Sequence, residues 1–147
     1  MDILSPHGRE VEPADPANFT GSATLVRMTG VLASPHVNAY LVSFEPRART
    51  AWHEHSGPQL LIVTEGTCRV QKRGELVREV AAGGIVAILP GEVHWHGAAP
   101  GVRAAHLALN LEATTTWLEK VTDAEYAGQV AYRSDLLAPT TDEWPET

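Results

Sequence analysis

Between residues 37 and 112 the chain is cut into short apolar or alternating segments, each closed by turn-forming residues. The segments are "VNAYLVSFE" (37–45), "QLLIVTEG" (59–66), "TCRVQKRG" (67–74), "ELVREV" (75–80), "IVAILPG" (85–91) and "VRAAHLALNLE" (102–112). Their length and their β-branched or alternating character read as strands. Turn chemistry separates them in "EPRA", "SGP", "KRGE", "AAGG", "LPGE" and "AAPG". Many short strands with Gly and Pro punctuation lead to an all-β sandwich or barrel. "TLVRM" (24–28) can add a further strand. The first 20 residues, with two prolines in "VEPADPANF", read as an extended arm, and residues 21–121 as the β body. Residues 122–147 read as a short helix and a tail. Thr122 offers an N-cap with Glu125 three residues on, the spacing of a capping box. So short a helix must dock on something to persist. The tail "SDLLAPTTDEWPET" is acidic and broken by proline.

At 147 residues the chain is long enough for one domain with a real core. Its net charge of −7 argues against nucleic acid or an anionic membrane as partner, because phosphate binding needs a basic patch. No apolar run approaches the roughly 20 residues of a membrane helix, and "MDILSPHGREVEP" lacks a basic segment followed by an apolar one. A cytoplasmic protein is expected. Cys68 is the only cysteine, so no intrachain disulfide can form, and on a strand it reads as a small buried hydrophobe.

The stretch "AWHEHSGPQLLIVTEG" (51–66) places His53 and His55 two apart, with Gln59 at the start of the next strand. Residues i and i+2 of a strand share a face, so the two imidazoles stand side by side and Gln59 can return its amide oxygen to the same centre. A second pair, His94 and His96, lies in "PGEVHWHG". His106 shares a face with Ala104, Ala108 and Asn110 on another strand. A single strand histidine is usually a packed or surface residue. Two spaced His-x-His pairs in one β domain point instead to a metal. Imidazole nitrogen suits zinc, copper, iron, nickel and manganese, and the glutamine adds a hard neutral oxygen. Trp52 and Trp95 stand one residue out of register with these histidines and should face the opposite side, as packing. Glu65 precedes Gly66 in a turn and should be solvated.

"HEHSGPQLLIVTEG" resembles the first cupin motif, and "GIVAILPGEVHWHG" resembles the second. The resemblance covers roughly residues 37–112 and implies a single-domain cupin, a small β-barrel or jelly roll with a short C-terminal helix. It implies that His53, His55, Gln59 and His94 hold one divalent metal ion. Gln59 stands where most cupins have Glu, and Ala98 where an Asn is common; Pro90 lies directly before Gly91. The glutamine is chemically informative. Three neutral imidazoles and a neutral amide leave the +2 charge of a divalent ion uncompensated, which favours a developing oxyanion and disfavours a higher oxidation state.

A longer similarity, carried by "FEPRARTAWHEHSGPQLLIVTEG", "LPGEVHWHGAAP", "AAHLALNLE" and "WLEKVTDAEY", runs from Phe44 to Tyr126. It resembles the bacterial cupin hydroxynitrile lyases, which interconvert cyanohydrins with an aldehyde and cyanide. It implies manganese as the favoured ion, with iron, zinc or nickel as the other candidates, and a small organic substrate. It also implies Tyr40 and Val42 as cavity walls, joined by Ala108 and Asn110 from the strand of His106. His96, not needed to complete four ligands, is the first acid–base candidate, and His106 the second, because imidazole exchanges protons near neutral pH. The chain is expected to form a homodimer or homotetramer. Three other functions remain open: a zinc-type polyketide cyclase, a small-molecule dioxygenase and a non-catalytic ligand-binding cupin.

Overall fold

The computed structural model describes residues 1–129, and the acidic stretch 134–147 lies outside the described residues. The chain enters through β1 (Glu12–Pro13), β2 (Phe19–Thr20), β3 (Ala23–Ala33) and β4 (His36–Phe44). Next come β5 (Arg49–Thr50), β6 (His53–His55), β7 (Gln59–Glu65), β8 (Thr67–Lys72) and β9 (Arg78–Ala81). The series ends with β10 (Ile85–Ile88), β11 (His94–Ala98), β12 (Ala104–Leu111), β13 (Thr115–Trp117) and α1 (Asp123–Tyr126). One sheet has the order β1-β3-β4-β12-β7-β10; the other has the order β13-β6-β11-β5-β2, with β8 joining β11 to β9. The two sheets curl toward each other as a barrel, so this is an all-β single-domain barrel with one short helix. No helix among the described residues is long and apolar enough to cross a membrane.

Side-chain alternation decides what fills the barrel. Phe44, Val42, Val63 and Ala104 of the first sheet meet Cys68 and Ala98 of the second in one buried cluster. Cys68 is buried as expected, and burial pushes its thiol up to about 12. This cluster closes one end of the barrel. The ring centroids of Phe44 and His106 lie 5.4 Å apart, edge to face, so the apolar plug is also the floor beneath the histidines. Glu65 is exposed and pairs with Arg103.

Outside the second sheet, Trp52 and Trp95 pack with Val121 and Tyr126. They face away from the histidines, as their register demands. The capping box on Thr122 forms in both directions, but it alone cannot hold a helix of one turn. Docking does: the Tyr126 hydroxyl donates to the Ala98 carbonyl at 2.6 Å. Arg49, itself buried, donates to the Val121 carbonyl and the Asp123 carboxylate. Segments 12–13 and 19–20, expected as an extended arm, pair as strands with β3 and β5. The expected strand 75–80 starts later, at Arg78, because Lys72 to Glu75 form a turn closed by backbone and ion-pair contacts.

The approach of β11 to β5 requires Gly97. A Cβ there would lie 2.3 Å from the Ala48 carbonyl oxygen and 2.6 Å from Arg49 Cα. Gly97→Ala should therefore cost about 1–3 kcal/mol as an overpacked core does. Thermal unfolding should show a midpoint lowered by roughly 2–12 °C, at about 2–4 °C per kcal/mol for a chain this size. An unchanged midpoint would mean that the two strands separate freely.

Candidate metal centre

β6 and β11 pair with His94 opposite His53. Because His55 lies two residues from His53, strand geometry gathers all three imidazoles on one inner face. The ring centroids of His53 and His94 are 4.2 Å apart, those of His53 and His55 5.0 Å, and those of His55 and His94 5.4 Å. Gln59 joins them from β7, opposite Asn110 of β12. His96 and His106 lie beneath, and His106 Nε2 is 2.9 Å from His96 Nδ1.

Each of the four residues marked by the sequence is held by its other polar atom. His53 Nδ1 donates to the Ala51 carbonyl at 2.9 Å, and His94 Nδ1 to the Glu92 carbonyl at 2.8 Å. His55 Nδ1 lies 2.9 Å from Thr115 Oγ1, a hydroxyl able to accept its N–H. Gln59 Nε2 donates to Asn110 Oδ1 at 2.7 Å. The two carbonyls select the Nδ1–H tautomer of His53 and His94, the Asn110 oxygen selects one face of the amide, and Thr115 orients the His55 ring. They leave His55 Nε2, His94 Nε2 and Gln59 Oε1 buried with no protein partner. An orphaned buried acceptor costs about 1–3 kcal/mol. Several of them together are explained by a cation, and the donors fit one that accepts nitrogen and neutral oxygen. The ligand atoms of His53, His94 and His96 also lie within 4.8 Å of one another, so His96 is within reach of the same ion.

Burial keeps the imidazoles uncharged. It lowers His94 and His106 to about 4, in His94 against the opposing pull of the Glu92 carbonyl. His53 and His96 fall well below the usual range, first by burial and then by the neighbouring imidazoles His94 and His106 respectively. Burial lowers His55 too, with the Gln59 amide beside it acting in the opposite sense. Neutral imidazoles are ready ligands at neutral pH without first losing a proton.

A cavity of about 360 Å³ opens above this cluster. Tyr40, Val42, Ala108, Asn110, His96 and His106 all line it. Sequence reasoning missed other walls. Phe19 and Trp117 also line the cavity, with ring centroids 6.1 Å apart, and Trp117 lies 4.6 Å from the His53 ring. Thr115 was missed as well; its spacing of two from Trp117 was the available signal, since it puts both on one face of β13. Asn110, expected at the substrate, holds Gln59 in addition to lining the cavity.

A family model described as the cupin domain matches residues 40–110. Over 126 residues the chain is 41% identical to the (R)-mandelonitrile lyase of Granulicella tundricola, covering 81% of this chain and 94% of that protein. A cupin-like protein from Thermotoga maritima superposes with a TM-score of 0.74 at 35% identity, covering 86% of this chain and 95% of that one. The polyketide cyclase RemF from Streptomyces resistomycificus superposes with a TM-score of 0.62 at 18% identity, covering 86% and 90%; at that identity the likeness is one of fold.

Two outcomes follow from this geometry. Thr115→Val, which removes the acceptor for His55 Nδ1, should weaken divalent-metal affinity about 10–100-fold, and Thr115→Ser should restore it; equilibrium titration of metal-free protein reads both. The second concerns acidity. In the unfolded chain these histidines protonate near 6.5, whereas in the fold they stay neutral well below that. The unfolded state therefore binds more protons under acid conditions, and metal-free protein should lose stability as pH falls from 6.5 to 5, by up to about 1.4 kcal/mol per pH unit for each such histidine. The slope of thermal midpoint against pH should flatten in His106→Phe; an equal slope would remove His106 from this set.

Proposed function

The chain belongs to the cupin family, and from that premise we propose a metal-dependent lyase that cleaves or forms the carbon–carbon bond next to a hydroxyl-bearing carbon, with an aromatic cyanohydrin as substrate. The observation that carries the reading is the convergence of unpartnered neutral donors at the base of a cavity that Phe19, Leu25, Tyr40, Val42 and Trp117 wall in part. His53, His55, Gln59 and His94 would hold the ion, with manganese favoured. A divalent ion there supplies Lewis acidity, making a neighbouring hydroxyl easier to deprotonate.

The remaining chemistry belongs to the side chains. If His96 Nδ1 donates its proton to His106 Nε2, His96 Nε2 is left with a lone pair facing the cluster. His96 Nε2 takes the hydroxyl proton. The O–H electron pair becomes the second bond of the carbonyl, and the carbon–carbon pair leaves with the nitrile carbon as cyanide. His96 then returns its proton to cyanide, so a neutral cyanohydrin yields an aldehyde and hydrogen cyanide. Full burial makes a charged His96 short-lived, which suits a proton that leaves with the product. His106 orients His96 and fixes its tautomer.

Aromatic substrates suit the walls. Phe19 and Trp117 offer ring faces on one side, and Tyr40, Val42 and Leu25 line the same cavity. The volume lies at the small end of the roughly 300–1,000 Å³ of small-molecule sites, which supports one ring and a short polar group over a fused polycyclic chain.

Manganese-loaded protein should release aldehyde from mandelonitrile faster than metal-free protein, under nitrogen as well as in air. His96→Ala should keep its metal and lose roughly 10²–10⁴-fold in rate. Equal rates for loaded and metal-free protein would sink the lyase reading, and a rate that needs oxygen would favour a dioxygenase. Gln59→Glu should hold metal yet turn over more slowly, because the added carboxylate cancels part of the ion's charge.

A further inference from the structure

The cavity has two chemically different ends. At its base the buried acceptors His55 Nε2 and Gln59 Oε1 have no protein partner. Its other end is walled by the segment that runs from β1 to β2, through Glu12, Asp15, Asn18 and Phe19. That segment starts far from the base: β1 lies at a sheet edge, four strands from the β7 that carries Gln59. It then returns toward the base. The Ala51 N–H donates to the Asn18 carbonyl at 2.8 Å, and the Ala51 carbonyl in turn holds His53. Between these points the chain makes a turn. The Asn18 N–H donates to the Asp15 carbonyl at 3.0 Å, and the Ala17 N–H donates to Asp15 Oδ1 at 2.9 Å. Asp15 is thus fixed one turn away from a residue anchored beside His53, so the span from the histidines to Asp15 is short.

The charges at this end do not cancel. Arg27 Nε donates to both oxygens of Glu12, at 3.1 and 2.9 Å, so that pair is neutral. Asp15 makes no ion pair among the described residues, and its one side-chain hydrogen bond there is the Oδ1 contact with Ala17. Oδ2 is left to accept from whatever enters. One uncompensated carboxylate therefore lines a cavity whose other end presents neutral acceptors that fit a cation.

We propose that Asp15 forms a subsite for a hydroxyl on the far side of the substrate's ring, so that the substrate is an aromatic cyanohydrin whose ring itself carries a hydroxyl. The inference deepens the lyase reading and rests on it for the reacting end. A few placed polar groups in a small-molecule site fix orientation and specificity. The ring hydroxyl donates to Asp15 Oδ2, and a hydrogen bond to an ionised acceptor is about twice as strong as a neutral one. An anionic substituent would meet Asp15 with like charge. A methoxy group would strip water from the carboxylate without offering a donor. Phe19 and Trp117, whose ring centroids are 6.1 Å apart, take the face of the ring. Its direction is then set by its two polar ends, the reacting oxygen toward the base and the ring hydroxyl toward Asp15.

The test is ligand binding to the full chain supplied with manganese, using benzyl alcohols, which carry no nitrile and cannot react. Relaxation of the ligand's protons by the paramagnetic ion gives both its Kd and its orientation. Meta- or para-hydroxybenzyl alcohol, whichever binds tighter, should bind about tenfold more tightly than its methoxy counterpart, as one hydrogen bond to a charged acceptor provides. Its CH₂ protons should relax faster than the ring protons beside the phenol. Asp15→Asn, at an exposed position, keeps the acceptor for Ala17 and removes the charge; it should reduce the preference to about twofold or less. Glu10→Gln, at an exposed carboxylate of the same arm outside the cavity, should leave the preference unchanged. Equal affinity for the hydroxyl and methoxy compounds would overturn the subsite. So would a preference that survives Asp15→Asn, one that Glu10→Gln also abolishes, or faster relaxation beside the phenol. Aldehyde release from mandelonitrile is measured separately. A preference without release keeps the subsite and sinks the lyase reading, and release without a preference does the reverse.

Discussion

An imidazole buried inside a barrel cannot keep a charge, and most of the site follows from that constraint. A neutral ring has one donor nitrogen and one acceptor nitrogen. The donor must be satisfied within the protein, and the choice of partner fixes where the acceptor points. In His53 and His94 the partner is a carbonyl two residues earlier, at Ala51 and Glu92, so local backbone alone sets the aim. In His55 and Gln59 the partner is a side chain on a distant strand, Thr115 or Asn110. Half of the aim is thus written locally and half depends on the barrel closing correctly. A cation bound there would relieve the orphaned acceptors, which would link folding to metal binding.

Strict alternation is the second constraint. β4, β7 and β12 each carry cavity residues on one face and aliphatic residues on the other, so a slip of one residue would put leucines into the metal centre and a histidine outside. The register is locked because both faces have a preference. Gly97 adds a steric lock at the crossing of β11 and β5, where no other residue fits between Ala48 and Arg49.

Much of this was legible in the sequence. His53, His55, His94, His96 and His106 converge because period-two spacing survives folding, and the pairing of β6 with β11 brings the two His-x-His pairs into opposition. The outward placement of Trp52 and Trp95 follows from the same period. Phe19, Thr115 and Trp117 were not legible as walls. They sit on strands of two and three residues; the spacing of two between Thr115 and Trp117 could be read, but nothing in so short a strand says which face turns inward. Their place depends on pairing with distant strands, Phe19 opposite Thr50 of β5, and Thr115 and Trp117 opposite His55 and His53 of β6. The shifted start of β9 has a related cause: that strand is largely exposed, so no buried face fixed its limits, and the Lys72–Glu75 turn did.

The neutrality of the donor set gains weight from what surrounds it. The carboxylates that line the cavity, Glu12 and Asp15, come from the chain's first segment and not from the strands that carry the histidines. Glu12 is already tied to Arg27, with Arg27 Nε donating to both of its oxygens at 3.1 and 2.9 Å. Neither acid bonds to any of the five clustered histidines among the described residues. A cation held there by neutral atoms would therefore keep most of its field, and that field would act on an oxygen beside it. The same field would oppose protonation of His96, which burial already disfavours. Under the proposed lyase reading such a site would handle a proton briefly and favour negative charge on a substrate oxygen, above the apolar plug around Phe44.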